Sequence, residues 1–372
     1  MDIAAFRDGT MSKKIFGKLV PLLVQKQQEL GRKLRIMEVC GTHTLSFSKT
    51  GVRDLLSPYV ELISGPGCPV CVTNQSDIDQ MIAYAEKEDI IVTTFGDMMK
   101  VPGSRLNLYQ ERANGADVRV VHSPSEAVEL AKKYSNKKIV FLGVGFETTA
   151  PSVAVSIKRA SVERVNNYFV YSAHKLTPPA LCALLEDSTH QLDGFLLPGH
   201  VSVIIGRKGW TVLEEKNVPA VIGGFEPVDL LTSIYLIANE MNEKKRLIRN
   251  NYPRFVREEG NVKAQNLLKE VFSVCSVKWR GFGTLPYSGM EMHANYQQFD
   301  AKKQFAIEPL KSRVIKGCRC GEIVKGKEKP FACKLFAKVC TPENPLGPCM
   351  VSSEGTCFTY YQYEQEKESV GM

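Results

Sequence analysis

Cysteine is the residue type whose number and spacing most clearly indicate chemistry in this chain of 372 residues. The sequence holds eleven cysteines, an odd number that fits a framework of disulfides poorly. Cys68 and Cys71 lie at CxxC spacing in the string GPGCPVC. A helix expected to begin near Ser76 would lower the pKa of a nearby thiol. The pair therefore predicts a redox or iron-binding site; zinc is the weaker alternative, because no second CxxC follows at zinc-ribbon spacing.

A third thiol belongs to the string CGTHT, which follows a predicted strand. Cys40 ends that strand, and His43 comes three residues later. A thiol and a histidine close to a CxxC pair could hold a transition metal. The alternative for His43 is a hydrogen-bonded histidine in the core, and the same two interpretations apply to His200 in the string PGHVS.

The last 55 residues hold a second group of cysteines in a segment rich in Pro and Gly. Its members are Cys318, Cys320, Cys333, Cys340, Cys349 and Cys357. The spacing differs from the ferredoxin run, but a cluster would organise a segment that cannot build its own apolar core. A zinc site is the alternative. Four cluster ligands would leave two thiols, which could form a redox pair beside the cluster.

The remaining candidates carry weaker signals. Cys182 and Cys275 stand alone in apolar surroundings, and we expect both to be small buried hydrophobic residues. Glu147 in GFETT and Glu226 in GFEP are either general acids or hydrogen-bond partners of the loop backbones that shape the expected cleft.

Short β-type runs alternate with helix-type segments, which predicts an α/β fold with parallel sheets. The predicted strands are Leu34–Val39, Val60–Ser64, Ile90–Thr94, Val118–His122, Lys138–Leu142, Tyr168–Tyr171, Gly194–Leu197 and Ala220–Ile222. The predicted helices begin at Ser76, span Ser125–Tyr134, run from Val228 to about Arg249, and cover the tail Glu354–Lys367.

The unusual Gly, Pro, His and Cys strings follow the predicted strands, at the carboxyl edge where open α/β sheets bind ligands. We therefore expect two related lobes facing a central cleft, followed by a small iron–sulfur domain. The expected boundaries are residues 1–135 for the first lobe, with CGTHT and GPGCPVC, and 136–260 for the second, with GFETTAP, PGHVS and GFEPVD. Residues 261–372 form the expected iron–sulfur domain.

Charge and hydropathy limit the classes of function. The longest apolar run, about Ile139 to Phe146, is shorter than the roughly 18 residues that a membrane span needs. No secretory signal pattern is present at the start, so we expect a cytoplasmic protein. Residues 301–340 hold eleven Lys or Arg and three Glu. No nucleic-acid recognition motif accompanies this excess of positive charge. We therefore expect the basic residues to offset the negative charge of a cluster and to form a docking surface for an acidic electron donor.

Six strings in order resemble the HypD family of hydrogenase maturation proteins. They are CGTHT, GPGCPVCV, GFETTAP, PGHVSVIIG, GFEPVD and CTPENPLGPCMVSSEGTC. The resemblance runs from about residue 35 to the C-terminus. It implies a scaffold, monomeric alone and heterodimeric with the small protein HypC, on which an iron carrying cyanide and carbon monoxide is assembled. Cyanide would arrive from HypE after HypF supplies a carbamoyl group.

The resemblance also implies roles for individual residues. Cys40 would bind the iron, and Cys68 with Cys71 would form the redox dithiol. His43, His200, Glu147 and Glu226 would belong to the catalytic site. A 4Fe–4S cluster like that of ferredoxin–thioredoxin reductase would be held by Cys318, Cys333, Cys340 and Cys349, with Cys320 and Cys357 as alternates. A stand-alone disulfide reductase and a non-redox metal chaperone are the alternative functions.

Overall fold

The computed structural model describes residues 3–187, 191–305, 307, 312–313 and 315–365. It shows an α/β protein whose parallel sheets are flanked by helices, as the sequence predicts. The strands are β1 Leu34–Glu38, β2 Val60–Ser64, β3 Ile90–Thr94, β4 Val118–Val120, β5 Lys138–Gly143, β6 Tyr168–Ser172, β7 Gly194–Pro198, β8 Ala220–Gly223, β9 Arg249–Asn250, β10 Phe272–Trp279 and β11 Gly283–Met292.

Helices cover the sheets and connect most of the strands. The α-helices are α1 Gly9–Leu30, α2 Gly41–Lys49, α3 Val52–Leu56, α4 Pro69–Val72, α5 Gln75–Ala85, α6 Leu108–Ala113, α7 Pro124–Lys133, α8 Ala150–Val162, α9 Thr177–Glu186, α10 Gly199–Ile205, α11 Thr211–Glu215, α12 Pro227–Glu240, α13 Val262–Val271, α14 Ala301–Gln304, α15 Cys320–Val324 and α16 Thr356–Tyr363. Short 3₁₀ helices span Ile3–Arg7, Gly96–Met98, Lys208–Trp210, Ala294–Phe299, Pro330–Ala332 and Pro348–Met350. Within the described ranges, every helix is too short or too polar to cross a membrane.

The first sheet has the strand order β2-β1-β7-β8-β9, and its neighbours pair in parallel. Strand β1 lies between β2 and β7, so that Ile36 pairs with Leu62 on one side and Gly194 on the other. Helices α1 and α12 cover one face, where Leu23 and Ile234 are fully buried. Strands buried on both faces explain the near-continuous apolar runs in the sequence.

The second sheet has the strand order β4-β3-β5-β6 and is also parallel. Helices α7 and α8 pack on it, and the antiparallel hairpin β10–β11 adds a further layer. Phe272 and Met290 of the hairpin share a core with Ile139 and Tyr168 of the sheet. The hairpin therefore packs with the second sheet.

The strand pairing does not follow the predicted division of the chain. The expected boundary at residues 135 and 136 falls inside the second sheet, because β3 pairs with β5 across it. Strand β7, which was expected in a second lobe, pairs with β1 in the first sheet. Phe272 and Met290, which were expected in an iron–sulfur domain, share a core with the second sheet. Hydrophobic patterns locate strands but do not specify partners that are distant in sequence.

Most predicted elements are confirmed with small shifts at their ends. The predicted strands all exist, although β4 ends at Val120. The helix expected from Ser76 begins at Gln75, since the side chain of Asn74 caps it. The long helix expected to reach Arg249 is wrong in length, because α12 ends at Glu240 and Arg249 starts a strand. The tail helix spans Thr356–Tyr363; the last two residues predicted for it, 366–367, lie outside the described residues.

The C-terminal segment is attached to the first sheet through a partly buried arginine. Arg53 of α3 pairs with the fully buried Glu38 of β1. The same guanidinium lies 5.4 Å from the ring centre of Tyr360 in α16. Removing one member of such a pair typically costs about 3–5 kcal/mol, because the other charge stays buried alone. Arg53 therefore connects the centre of the first sheet to the segment that carries the C-terminal cysteines.

We predict that Gly67→Ala destabilises the chain by about 1–3 kcal/mol. A Cβ at position 67 would lie 2.6 Å from the Cα of Cys40. Because this is a backbone atom, it cannot move aside as the end of a flexible side chain could. Gly17→Ala is the control, because position 17 lies within α1 and its Cβ would meet nothing within 4 Å. That control should raise stability by roughly 0.5–1 kcal/mol. Urea denaturation of both variants measures the effects, and equal stability of the two would contradict the close approach at residue 67.

Candidate functional site

The first sheet gathers most of the predicted site residues at one edge. Four loops leave the carboxyl ends of its strands β1, β2, β7 and β8, and they begin with the strings CGTHT, GPGCPVC, GHVS and GFEP. They bring Cys40, Cys68, His200 and Glu226 to the same side of the sheet. Glu147 lies apart from them, after β5 of the second sheet. The sequence placed these loops at strand ends correctly but divided them between two lobes.

Cys40 lies directly beside the CxxC loop. It immediately precedes α2, and the amide of Gly41 donates a hydrogen bond of 3.3 Å to the carbonyl of Gly67. The missing side chain of Gly67 lets the two backbones approach, because a Cβ there would overlap Cys40. The parallel pairing of β1 with β2 thus places Cys40 next to Cys68.

Cys68 and Cys71 form a disulfide. Cys68 is the N-cap of α4, its sulfur accepts a hydrogen bond of 3.2 Å from the amide of Cys71, and Pro69 occupies the first turn. Proline at that position has the backbone angle that a helix requires. The exposed fractions of the two cysteines are 3% and 1%. The pair is therefore a buried disulfide at the start of a very short helix, and the helix expected near Ser76 comes after it.

A carboxylate that the sequence analysis missed lies against Cys40. Glu354 accepts a hydrogen bond of 2.9 Å from the hydroxyl of Thr42, and its backbone packs on Gly41. Burial, and secondly the charge of Glu354, raise the pKa of Cys40 to about 12. The sequence offered one signal that could have identified Glu354. It lies between Cys349 and Cys357, in the string CTPENPLGPCMVSSEGTC. Without a cation the thiol of Cys40 keeps its proton.

His43 and His200 enclose the ring of Phe225. The ring centres lie 4.6 Å and 4.2 Å from that of Phe225. Nε2 of His43 lies 3.0 Å from the carbonyl of Gly224, which can only accept, so Nε2 carries the proton and Nδ1 presents a lone pair. Burial lowers the pKa of His43 to about 3 and also lowers that of His200. Both rings are neutral near pH 7, and His43 is buried and hydrogen-bonded, as one of its two sequence interpretations held.

Each of the two glutamates has hydrogen-bond partners in another segment of the chain. Glu147 is buried and accepts hydrogen bonds from the amide and hydroxyl of Thr177, at 2.8 Å and 2.9 Å. Burial raises its pKa to about 7. Glu226 receives two hydrogen bonds from Arg7, and this partner lowers its pKa. Glu226 also caps α12. The contact of Glu147 with the amide of Thr177 agrees with the loop-backbone interpretation, whereas Glu226 binds the side chain of Arg7. The catalytic role of both carboxylates stays a prediction.

The C-terminal cysteines converge in a second group. The thiol of Cys320 interacts with those of Cys318, Cys349 and Cys357, and Cys349 also interacts with Cys357. The sulfur of Cys340 accepts a hydrogen bond of 3.3 Å from the amide of Leu346. Cys333 instead faces the carbonyl of Gly317, at 3.7 Å. The predicted ligands and alternates are therefore neighbours in one region. Contrary to expectation, the lone Cys182 and Cys275 are only half-buried.

These thiols form contacts rather than a ready metal site. In the part of the chain that the structure describes, no three His, Cys, Asp or Glu residues are grouped so as to hold a metal ion. Two of the sulfurs nevertheless approach the backbone of Gly347 closely. A Cβ on Gly347 would lie 2.6 Å from the sulfur of Cys320 and 2.9 Å from that of Cys318. Several soft sulfur donors beside a glycine suit an iron–sulfur group.

Comparison with known proteins matches this arrangement to one family. A sequence model described as "HypD: Hydrogenase formation hypA family" matches residues 15–364. The chain belongs to the HypD family. A relative from Rhodobacter capsulatus, named hydrogenase maturation factor HypD, is 41% identical over 96% of this chain and 97% of its own length. HypD-family relatives from Cupriavidus necator and Escherichia coli, which carry the same name, are 40% and 41% identical over 98% and 90% of this chain, and over 98% and 91% of their own lengths.

We predict that Glu147→Gln removes a pH dependence of stability. The folded chain holds the proton of Glu147 up to about pH 7, whereas the unperturbed pKa is 4.5. The resulting stabilisation is complete below pH 4.5 and is lost as the pH rises through 7. The difference in unfolding free energy, wild type minus variant, should therefore fall by roughly 1–3 kcal/mol between about pH 5 and pH 8.

Urea denaturation at the two pH values measures that difference. Glutamine keeps an acceptor oxygen for the amide of Thr177 but cannot ionise. Glu226→Gln is the control, because the pKa of Glu226 is lowered and its stabilisation is lost at acidic pH instead. A constant difference for Glu147→Gln would contradict the raised pKa.

Proposed function

We propose that this chain serves hydrogenase maturation as a redox-active scaffold on which an iron carrying cyanide and carbon monoxide is assembled. The observation that carries the proposal is the meeting of Cys40, the Cys68–Cys71 disulfide and Glu354 at one edge of the first sheet. Three curated relatives compared above are named hydrogenase maturation factors. In this proposal Cys40 and its neighbours form the scaffold site, and the C-terminal cysteines hold the electron supply.

Cys40 is the proposed ligand of the iron cargo. Thiolate is a soft donor that suits low-spin iron with strong-field ligands. Because the pKa of Cys40 is raised to about 12 by burial and then by Glu354, iron must displace the thiol proton when it binds. The carboxylate of Glu354 lies close enough to act electrostatically on Cys40. It would offset part of the positive charge of the incoming metal.

The Cys68–Cys71 pair is the proposed electron carrier beside the iron. Reduction of the disulfide takes up two electrons and two protons and gives two thiols. A 4Fe–4S cluster in the C-terminal cysteine group would supply electrons one at a time. We expect an acidic one-electron donor protein to refill it, because residues 301–340 carry the local excess of positive charge. The nearly complete burial of the disulfide disfavours the alternative of a stand-alone reductase acting on other proteins.

The proposed partners are HypC, which would share the iron, and HypE, alone or with HypF, which would deliver cyanide. We propose a monomer that forms a heterodimer with HypC, at a cytoplasmic location. His43, His200 and Phe225 would hold the loops after β7 and β8 against the loop of Cys40. In this proposal both histidines position the site, because neutral rings with lowered pKa values are poor proton donors.

We predict one 4Fe–4S cluster per chain, with Cys318, Cys333, Cys340 and Cys349 as ligands. Anaerobic analysis of purified protein should give about four iron and four sulfide per chain. Cys333→Ser should lose the cluster, whereas Cys320→Ser should keep it. The control is Cys182→Ser, which alters a lone, half-buried thiol. Stoichiometric zinc without iron would contradict the prediction. Loss of iron in Cys320→Ser would show that Cys320 belongs to the ligand set.

We predict that Cys40→Ala abolishes the cyanide- and carbon-monoxide-bearing iron while the cluster remains. Alanine supplies no donor, and the hydroxyl of Thr42 is too hard a ligand for low-spin iron. The loss of one small buried side chain should cost only about 1 kcal/mol of stability. Infrared bands of bound cyanide and carbon monoxide, measured in the complex with HypC, report the cargo iron. The visible absorption of the cluster is recorded on the same sample.

The matched control is Cys275→Ala, which removes a thiol from the hairpin and should leave both signals. Retention of the diatomic bands in Cys40→Ala would assign the iron to other residues. Loss of both signals would show that Cys40 is needed for the whole structure, and the proposed separation of scaffold and electron supply would be wrong.

A further inference from the structure

A serine hydroxyl joins the C-terminal segment to the second sheet. Ser352 is 2% exposed, and its Oγ donates a hydrogen bond of 2.8 Å to Oδ2 of Asp97. Asp97 belongs to the short 3₁₀ helix Gly96–Met98, which follows β3 at the carboxyl edge of the second sheet. A buried hydroxyl needs an acceptor, and the exposed Asp97 supplies one at the boundary with solvent.

The same hydroxyl oxygen binds the backbone of Glu354. The amide of Glu354 donates a hydrogen bond of 3.3 Å to Oγ of Ser352, so this oxygen accepts one bond and donates another. The carboxylate of Glu354 is bound separately, because the hydroxyl of Thr42 donates to it at 2.9 Å. Glu354 is therefore held at two points, of which one leads to the second sheet and the other to the first.

Glu354 lies against the loop that begins with Cys40. A Cβ on Gly41, the next residue, would lie 2.2 Å from the carbonyl oxygen of Glu354 and 2.6 Å from its Cβ. Cys40 itself is only 7% exposed. A thiol that is proposed to bind iron must become accessible to it. Movement of Glu354 away from Gly41 would uncover the surroundings of Cys40.

We infer that Asp97 is a positioning residue that holds Glu354 against the Cys40 loop through Ser352, and that it thereby restricts access to the thiol. Through this contact the second sheet takes part in a site whose thiols come from the loops of the first sheet. The significance for iron loading rests on the proposed function, whereas the effect on access to Cys40 does not.

The test measures the rate at which Cys40 reacts with iodoacetamide in the full chain, followed by mass spectrometry of the peptide that contains it. Asp97→Ala removes the acceptor, and Ser352→Ala removes the hydroxyl. Each should label Cys40 roughly fivefold faster than the wild type, because the loss of one hydrogen bond shifts an equilibrium by about that factor. Asp97→Asn keeps an acceptor oxygen, so its rate should stay close to that of the wild type. The double alanine variant should match the single ones, because both changes remove the same bond.

Two control variants should leave the labelling rate of Cys40 unchanged. Asp117→Ala removes another exposed aspartate of the second sheet, whose partner is Arg119. Ser353→Ala alters the exposed serine next to Ser352. The half-buried Cys182, labelled in the same samples, reports whether the fold as a whole has loosened.

Three results would overturn the inference. Wild-type rates in both alanine variants would show that the contact does not restrict access to Cys40. Fast labelling of Asp97→Asn with an unchanged rate in Ser352→Ala would assign the effect to the charge of Asp97. Equally faster labelling of Cys182, with a lower melting temperature, would show a general loss of structure. Infrared spectra of the partner complex test the proposed function separately, since a wild-type complex without cyanide and carbon monoxide bands would refute that function and leave the labelling result standing.

Discussion

The close approach of two backbones, at Gly67 and at Cys40, is the constraint on which the rest of the site depends. Parallel pairing sets β1 and β2 side by side, and the loops that follow them must share the space above one edge. Only a residue without a side chain fits opposite the Cα of Cys40. This contact brings a single thiol and a disulfide together, although 28 positions separate Cys40 from Cys68 in the sequence.

The C-terminal segment completes the site from outside the sheet. Arg53 ties it to the buried Glu38 at the centre of the first sheet, and Thr42 binds Glu354. The same stretch of chain holds Cys349 and Cys357 on either side of that glutamate. One segment therefore contributes both to the surroundings of Cys40 and to the second thiol group. Its attachment therefore brings residues of the second thiol group close to Cys40.

The sequence located the strands and the cysteine-bearing loops well, but it did not identify which segments are neighbours in space. The strands, the loops at their carboxyl ends and the two groups of cysteines follow from periodicity and spacing, which are local properties. The pairing of β1 with β7 does not, because nothing near residue 36 specifies a neighbour at residue 194. Glu354 was missed for the same reason. Its contact with Thr42 joins segments that are distant along the chain.

The position of β7 has a consequence for how the chain comes to be folded. Strand β1 begins at residue 34, but its second neighbour, β7, spans residues 194–198. All strands of the second sheet lie between the two in the sequence. Such high contact order slows folding, because a long loop must close before the contact forms. During synthesis on the ribosome, β1 would present an unpaired, apolar edge until β7 emerges, and edges of that kind promote aggregation. The surroundings of Cys40 thus form late, after most of the polypeptide has been made.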